Sequence, residues 1–423
     1  MRGTPLPVRG PPLPVRGTPL PVAIRVSARA AVSLRVLVAP DSFKGSLTSV
    51  EVADAMARGW TRARPDDAID RCPMADGGAG LLDAILAADP SWQPLPAASR
   101  DPLGRPIRGR FLRSGERAVV ELADASGLWR VPASDRDPGA ASTFGTGLTL
   151  AAAIDLGARE ILLGVGGSAT TDGGAGLLSA LGARFLDAAG RELPPGGAPL
   201  SRLVRVDLSG LAPVLADVRL IVASDVTNPL LGPHGAAAVY GPQKGASPSD
   251  VGELEAALCH YAEVLRTSVG RDVSEAAGSG AAGGTVAGLL AIANRFAAFE
   301  VRPGVGEVMA LVRFADRLAA CSLVLTGEGR VDAQTAFGKT AHGVARRARE
   351  AGRPCIVIGG SVEPEGADAC GALDAIVVPA TEDHRGLEAA IAAGAAPVGR
   401  AAERMARLVS LGERLAVAPG CMP

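Results

Sequence analysis

The sequence predicts an α/β protein in which most strands pair in parallel. Short aliphatic runs alternate with helical patterns through most of the chain, and the first run covers residues 34–40. Thr48 and Glu51 have the spacing of a capping box, which predicts a helix that extends to about Trp60. Strands that alternate with helices are typical of parallel α/β sheets. The loop over residues 41–47 therefore joins the carboxyl end of a strand to a helix N-terminus, where such sheets bind ligands.

Further strand patterns follow the same design, because each leads into a loop rich in glycine or polar residues. Two shorter β runs cover residues 355–358 and 375–378, with helical stretches over 340–351, 386–396 and 399–416. The three strand-to-loop steps are 161–165 into 166–176, 218–223 into 224–229, and 322–326 into 327–332.

Composition fits a large globular protein and excludes several classes of function. The chain has 423 residues, of which 48% are hydrophobic and 21% charged, and this length predicts two domains. A net charge of −1 argues against broad binding to nucleic acid or anionic membranes. No uninterrupted apolar run reaches the roughly 18 residues that a membrane span needs. Six cysteines without CxxC spacing and four histidines without metal spacing predict reduced thiols in a cytoplasmic protein and no structural zinc.

The N-terminus forms a segment of its own. Residues 2–22 repeat a seven-residue unit with two or three prolines per unit, which excludes a helical coiled coil. This composition predicts an extended, disordered tail over residues 1–33. Six arginines and no acidic residue precede Asp41, but no amphipathic helix or long apolar segment accompanies them. A dispensable tail, or a start site placed too far upstream, is therefore favoured over a targeting peptide.

Lysine is rare, and its three positions point to phosphate chemistry. Only Lys44, Lys244 and Lys339 occur among 43 basic residues, and each lies in a short loop that contains glycine. Glycine lets the backbone approach a ligand, and lysine acts on phosphate as a point charge. Chance placement in a loop stays the alternative for any one of the three.

An identical seven-residue segment, rich in glycine, begins at Asp76 and again at Asp172. A turn that enters a helix in this way offers backbone N–H groups and one carboxylate, which suits Mg²⁺ with phosphate. A helix start that needs glycine for close packing is the alternative.

Two nucleotide-binding patterns are incomplete. Residues 333–340 resemble a Walker A motif without its first glycine, and the preceding strand ends too early to feed a P-loop. Residues 278–283 match GxGxxG, but no strand precedes them. We therefore predict neither a P-loop NTPase nor a dinucleotide fingerprint.

Eight short motifs occur in order along the chain: 39–44, 75–78, 145–147, 166–176, 225–230, 241–246, 280–284 and 326–332. Together they resemble the bacterial glycerate kinase family that includes enzymes of the glyoxylate and glucarate pathways. The resemblance extends over about residues 34–415. Lys44 and Lys244 lie inside these motifs, and Lys339 lies within the same range.

The resemblance implies a fold of two α/β domains. A flavodoxin-like domain with a parallel sheet would be formed by both chain ends, residues 34–72 plus 305–415. A second, mixed α/β domain over residues 73–304 would be inserted between them. The strand patterns agree, since the strand before Lys44 and the strands after Ala320 would share one sheet.

The resemblance also implies a reaction: ATP-dependent phosphorylation of D-glycerate, usually to 2-phosphoglycerate, with Mg²⁺ as a second cofactor. The partner would be this small molecule, with no nucleic acid or membrane, and a homodimer stays open. Expected catalytic residues are Lys44, Asp76, Lys244 and Lys339; expected cofactor-binding residues are Gly166, Gly167, Ser168, Gly173, Asn228 and Glu328; expected metal ligands are Asp172 and Asp225.

Several of these assignments have alternatives. Asp76 is the favoured base, but the sequence does not separate base from metal ligand. A turn before Pro229 explains Asn228 equally well. Arg330 is a candidate for the substrate carboxylate, although an ordinary surface charge is the favoured interpretation.

Three positions depart from the family pattern: Ala79 and Leu148, where glutamate is usual, and Ala341, where proline is common. If the missing glutamates bind metal or orient substrate, the enzyme would be slow or altered in substrate. If they cap helices, each loss costs about 1 kcal/mol of stability. The rival functions are a kinase of another small hydroxy acid and a non-catalytic nucleotide-binding homologue. A flavin or nicotinamide enzyme fits the fold alone.

Overall fold

A computed structural model describes residues 33–337, 340–381 and 386–417. The tail predicted over residues 1–33 lies outside the described residues except for Ser33, and Lys339 lies outside them as well. Within the described ranges, no helix is long and apolar enough to cross a membrane.

Strands of the described residues form two large sheets and one small one. They are β1 (Arg35–Val38), β2 (Ala68–Arg71), β3 (Gln93–Arg100), β4 (Pro106–Ser114), β5 (Arg117–Glu121), β6 (Glu160–Gly164), β7 (Arg184–Leu186), β8 (Arg205–Asp207), β9 (Arg219–Ala223), β10 (Ala298–Arg302), β11 (Leu323–Val331), β12 (Cys355–Val362) and β13 (Ala375–Pro379).

Helices cover the faces of these sheets and connect their strands. They are α1 (Ser49–Ala63), α2 (Leu81–Ala88), α3 (Leu122–Ser126), α4 (Phe144–Asp155), α5 (Ala175–Ala180), α6 (Ala236–Tyr240), α7 (Pro248–Val269), α8 (Ala281–Ala291), α9 (Gly304–Leu311), α10 (Phe314–Ala320), α11 (Thr340–Glu350), α12 (Pro364–Gly371), α13 (Gly386–Ala392) and α14 (Ala396–Val417).

The first sheet is parallel throughout, in the order β13-β12-β11-β1-β2. Strand β1 lies inside this sheet, between β11 and β2, and its last three residues are apolar and fully buried, as expected for a parallel strand covered on both faces. The predicted capping box begins α1: the Glu51 amide donates to Thr48 Oγ1 (3.2 Å), and the Thr48 amide donates to Glu51 Oε2 (2.8 Å). Trp60 of α1 is buried beside α14 residues such as Ala402.

The second sheet is mixed, in the order β10-β9-β6-β5-β4-β3. Strands β10, β9, β6 and β5 pair in parallel, whereas β3, β4 and β5 pair antiparallel. Its largest core cluster includes the fully buried Phe111 and Tyr261. The predicted α/β class with largely parallel pairing is therefore confirmed.

Each large sheet takes its strands from a different part of the chain. The first draws on residues 35–71 and 323–379, and the second on residues 93–302. The division of the chain into two domains stays a prediction.

The carboxyl ends of strands from both sheets meet at one place. The Gly166 amide, just after β6, donates to the Gly77 carbonyl in the turn that follows β2 (3.1 Å). A Cβ added to Gly166 would lie 2.6 Å from the Gly78 Cα, so only glycine permits this approach. The loops that carry the predicted site residues are thus brought side by side.

Candidate active site

Lys44 and Asp76 form an ion pair where these loops meet. Lys44 Nζ lies 3.1 Å from Asp76 Oδ2, and the other carboxylate oxygen of Asp76 accepts the Gly78 amide at 3.0 Å. The negative charge of Asp76 raises the pKa of Lys44 above its ordinary value. The structure therefore brings two predicted catalytic residues together, with the lysine side chain 77% exposed and accessible to a ligand.

A buried carboxylate beside this pair, Asp41, was not singled out from the sequence. It accepts hydrogen bonds from the Thr340 hydroxyl (2.7 Å) and from the Ser42 amide (2.6 Å). Burial and, to a lesser degree, the charge of Asp76 together raise the pKa of Asp41 to about 6. The available signal was its place at the end of the first strand, three residues before Lys44.

Asp225 follows β9 and faces the same group of charges. Its Oδ1 accepts the Gly304 amide at 2.9 Å. Loss of surrounding water raises the pKa of Asp225 to about 6, and the charge of Asp76 adds to the shift. Asp225 is exposed, so surrounding water screens its interaction with these charges.

Glu328 lies on the other side of the Lys44 loop. It belongs to β11 and is buried, and its Oε1 accepts the Thr335 hydroxyl at 2.7 Å. Its charge contributes to the raised pKa of Lys44. Glu328 is therefore close enough for its charge to act on Lys44, and it also accepts a hydrogen bond from another residue of the protein, Thr335.

The donor chemistry of this region suits Mg²⁺, although no multidentate protein cage is present. Among the described residues, no group of three or more His, Cys, Asp or Glu side chains could hold a metal ion. Mg²⁺ usually keeps several waters and uses one or two carboxylates together with substrate phosphates. Asp225 and Asp76 are carboxylates of this kind, since both are accessible and lie near each other's charge.

The glycine-rich loop after β6 carries backbone N–H groups that can donate hydrogen bonds to phosphate. Gly167 has φ +76° and is exposed, and Ser168 is buried next to it. The Gly166 amide is already bonded to Gly77. Within the described part of the chain, the Gly167 and Ser168 amides have no hydrogen-bond acceptor. These two N–H groups fit an anionic ligand better than the Gly166 N–H does.

Lys244 is enclosed and bonded to this loop, unlike the exposed Lys44. It is 2% exposed, and its Nζ donates to Ser168 Oγ (3.0 Å) and to the Thr170 carbonyl (2.5 Å). Burial lowers the pKa of Lys244 to about 7, and the charge of Asp172 opposes that effect. The structure thus joins two predicted site residues, Lys244 and Ser168.

Asp172, predicted as a metal ligand, is fully buried and bonded to its own chain. Its Oδ2 accepts from the amide (2.8 Å) and hydroxyl (2.9 Å) of Thr143 and from the Gly176 amide (3.2 Å). Its Oδ1 accepts the Gly174 amide at 3.1 Å, and burial raises the pKa of Asp172. The contacts favour the packing alternative, in which Asp172 fixes the start of α5, and the metal role stays a prediction.

Gly173 and Asn228, both predicted to bind a cofactor, also make close contacts with other residues of the protein. Gly173 has φ +62°, and a Cβ there would lie 2.4 Å from the Tyr261 ring. Asn228 donates to the His234 carbonyl (2.9 Å) and accepts the Tyr240 hydroxyl (2.8 Å). Close packing and a stabilised turn account for these residues, so their cofactor roles stay predictions.

The surroundings of Ala79 show whether a glutamate at this position is needed to cap a helix. The N-terminus of α2 is capped by Glu121, which accepts the Gly80 amide (3.0 Å) and the Leu82 amide (3.1 Å). Burial raises the pKa of Glu121 to about 7. Because α2 already has a carboxylate cap, alanine at position 79 removes no cap. Leu148 is half-buried within α4.

Two further candidates add little to the site. Lys339 lies outside the described residues, so its catalytic assignment stays a prediction. Arg330 is exposed and forms an ion pair with Glu363, in agreement with an ordinary surface charge.

Comparison with known proteins gives a consistent result. The model of the glycerate kinase family matches residues 36–410. A glycerate kinase of Halalkalibacterium halodurans is 43% identical over 329 residues, which are 77% of this chain and 85% of the relative. A glycerate 2-kinase of Escherichia coli K12 is 43% identical over 331 residues, which are 78% of this chain and 86% of the relative.

A solved structure extends the similarity to the fold. It is the crystal structure of a Salmonella typhimurium LT2 protein described as a candidate glycerate kinase 2. The match has a TM-score of 0.75 at 39% identity and covers 90% of this chain and 100% of the other.

Proposed function

Because the chain belongs to the glycerate kinase family, we propose that it transfers the terminal phosphoryl group of ATP to D-glycerate and forms 2-phosphoglycerate. The observation that carries this proposal is the Lys44–Asp76 pair, 3.1 Å apart and beside the loop of Gly167 and Ser168. A cation, a carboxylate and free backbone donors are the groups that phosphoryl transfer requires.

Positioning and charge neutralisation supply most of the catalysis in this reaction class. The exposed ammonium of Lys44 neutralises charge on the transferred phosphoryl group, and Asp76 holds that ammonium in place. Asp76 is also the proposed acceptor of the substrate hydroxyl proton. Its carboxylate is half-buried and accessible, which a proton acceptor requires.

Both cofactors would be held beside this pair. Asp225, with Asp76 as second carboxylate, would hold Mg²⁺, which would supply positive charge to neutralise the phosphates. The amides of Gly167 and Ser168 would bind the phosphates of ATP.

We also propose that the first sheet belongs to a flavodoxin-like domain. Numbered in chain order, its strands run 2-1-3-4-5, which is the order of that fold. Ligands of such sheets bind outside the carboxyl ends of the strands, where Asp41 and Lys44 lie. The second, mixed sheet then belongs to the inserted domain.

A cytoplasmic location is part of the proposal, and a homodimer stays open. The five cysteines among the described residues are free thiols, as expected in a reducing compartment.

The test is a coupled assay of ADP release with D-glycerate, ATP and Mg²⁺, followed by NMR of the product. We expect glycerate-dependent ADP release and phosphate on the 2-hydroxyl. A panel of other small hydroxy acids is the control for substrate identity, and faster turnover of one of them would reassign the substrate. ATP binding without glycerate-dependent ADP would instead indicate a non-catalytic homologue.

A further inference from the structure

Within the described part of the chain, the buried Lys244 forms no ion pair with a carboxylate. Among the described residues, no acidic side chain lies within 4.0 Å of its Nζ, and the lysine is 2% exposed. Its two bonds go to uncharged oxygens, Ser168 Oγ and the Thr170 carbonyl. Burying a charge without a counter-charge is costly. A buried lysine whose nearest acidic influence is the more distant Asp172 is suited to receive an anion from a ligand.

The contact with Lys244 also determines what the Ser168 hydroxyl can do. An ammonium can only donate, so Ser168 Oγ is the acceptor in the 3.0 Å bond. The hydroxyl hydrogen must then be donated to another group. No described residue accepts it, although Ser168 is only 7% exposed. The positive charge behind the oxygen makes the hydroxyl a stronger donor than an ordinary serine.

Two further donors lie beside this hydroxyl. The amides of Gly167 and Ser168 have no acceptor in the described part of the chain, and Gly167 adopts the left-handed conformation with φ +76°. Successive amides in such a turn form a concavity that binds anions. Gly167 and Ser168 together thus offer three hydrogen-bond donors, and the buried Lys244 is bonded to one of them, the Ser168 hydroxyl.

We propose that Lys244 is a positioning residue that acts through Ser168: it holds the hydroxyl as a donor which, with the Gly167 and Ser168 amides, binds an anionic oxygen of the ligand. This inference rests on the proposed function. It differs from direct contact between Lys244 and substrate, because the ammonium is enclosed and already bonded to the loop. The anionic oxygen belongs either to a phosphate of ATP or to the glycerate carboxylate.

A double-mutant cycle tests this coupling. Lys244→Met, Ser168→Ala and the double variant are titrated by calorimetry, separately with Mg·ATP and with D-glycerate. Each single change should weaken one ligand by about 10- to 100-fold, as expected for a lost hydrogen bond to a charged group. The double variant should be no more than about threefold weaker than the weaker single variant, because both changes remove the same interaction. The ligand that loses affinity identifies the source of the anionic oxygen.

Multiplicative losses in the double variant would overturn the proposal, because Lys244 would then act independently of Ser168. Unchanged affinity for both ligands in Ser168→Ala would also overturn it, and this result does not depend on the folding of Lys244→Met. Ser168→Thr keeps a hydroxyl and should retain most of the affinity that Ser168→Ala loses.

Thr171→Val is the matched control, since it removes a buried hydroxyl of the same loop for which the described residues offer no hydrogen-bond partner. It should change neither affinity by more than about twofold. Turnover of D-glycerate by the wild type is measured in parallel. If turnover is absent while the coupling persists, the proposed function fails and this inference stands. If turnover is present without coupling, the proposed function stands and this inference fails.

Discussion

Lys44 Nζ lies 3.1 Å from Oδ2 of Asp76, and this pair connects the loop after β1 with the turn after β2. The two strands are parallel neighbours in the first sheet, so their carboxyl ends are adjacent. The lysine side chain is 77% exposed. Exposed ion pairs contribute about 0–1 kcal/mol to stability, so the arrangement serves the site more than the fold.

Lys44→Met should therefore separate activity from stability. We expect kcat/KM for D-glycerate to fall by at least about 100-fold, because charge neutralisation of the phosphoryl group is lost. The melting temperature should fall by no more than about 3 °C, since only an exposed pair is broken. Steady-state kinetics and thermal unfolding measure the two effects.

Arg184→Met is the matched control for this variant. Arg184 forms a 2.7 Å ion pair with Glu192 and its side chain is exposed as well, but it lies in the small two-stranded sheet. It should leave kcat/KM unchanged. Unaltered kinetics in Lys44→Met would remove Lys44 from the active site.

The charge of Asp76 should be visible in the pH dependence of stability. Asp41 and Asp225 have folded-state pKa values of about 6, above the value near 3.9 in the unfolded chain. The folded state therefore binds more protons between about pH 4 and 6, and the free energy of unfolding falls as pH rises through that window. Asp76 contributes to both raised pKa values, so Asp76→Asn should make the fall shallower.

Urea unfolding at pH 4 to 7.5 measures this slope, to which the buried Asp41 contributes at most about 1.4 kcal/mol per pH unit and the solvent-screened Asp225 contributes less. Asp155→Asn, an exposed carboxylate at the end of α4, should leave the slope as it is in the wild type. Identical slopes in the wild type and Asp76→Asn would contradict the electrostatic link between Asp76 and the other two carboxylates.

The repeated seven-residue segment shows how far the sequence determines this site. Asp76 and Asp172 each accept the amide two residues ahead, at 3.0 and 3.1 Å, so the same local sequence produces the same local turn. Long-range contacts then separate them. Asp76 pairs with the exposed Lys44, whereas Asp172 is enclosed by donors that include Thr143, 29 residues away. Local patterns predict the turn but not which of the two carboxylates is accessible to a ligand.

The same distinction holds for the fold and for other site residues. The capping box of Thr48 and Glu51 could be predicted because both partners lie within one helical turn. The contact of Thr340 with Asp41 spans 299 positions, and no local pattern encodes it. Lys244 could be recognised as a loop lysine, but its burial depends on tertiary packing around the loop of Ser168, 76 residues earlier.

The packing around Gly173 predicts a large loss of stability in Gly173→Ala. A Cβ would lie 2.4 Å from Tyr261, and φ is +62°, so the change combines overpacking with a strained backbone. We expect a loss of about 2–5 kcal/mol in chemical unfolding. Gly190→Ala is the control, because its φ is +74° but nothing lies within 4 Å of its Cβ; it should cost only about 1 kcal/mol. Equal losses in the two variants would argue against the packing role.

Lys244 should impose an opposite pH dependence at higher pH. Its folded-state pKa is about 7, whereas that of an unfolded lysine is near 10.4. Between these values the unfolded chain binds more protons, so the free energy of unfolding rises with pH by at most about 1.4 kcal/mol per unit. Lys244→Met has no proton to lose and should lack this rise, whatever its stability at pH 7.

The measurement is the difference in unfolding free energy between the wild type and Lys244→Met from pH 7 to 9.5. Buried cysteines such as Cys72 and Cys355, whose pKa values are raised to about 12, act in the opposite direction. They are present in both proteins, so the difference isolates Lys244. Lys44→Met is the matched control. The charge of Asp76 raises the pKa of Lys44, so the stability that Lys44 contributes is lost only above about pH 10. Parallel curves for the wild type and Lys244→Met would mean that Lys244 keeps an ordinary pKa, and the costly buried charge assigned to it would be wrong.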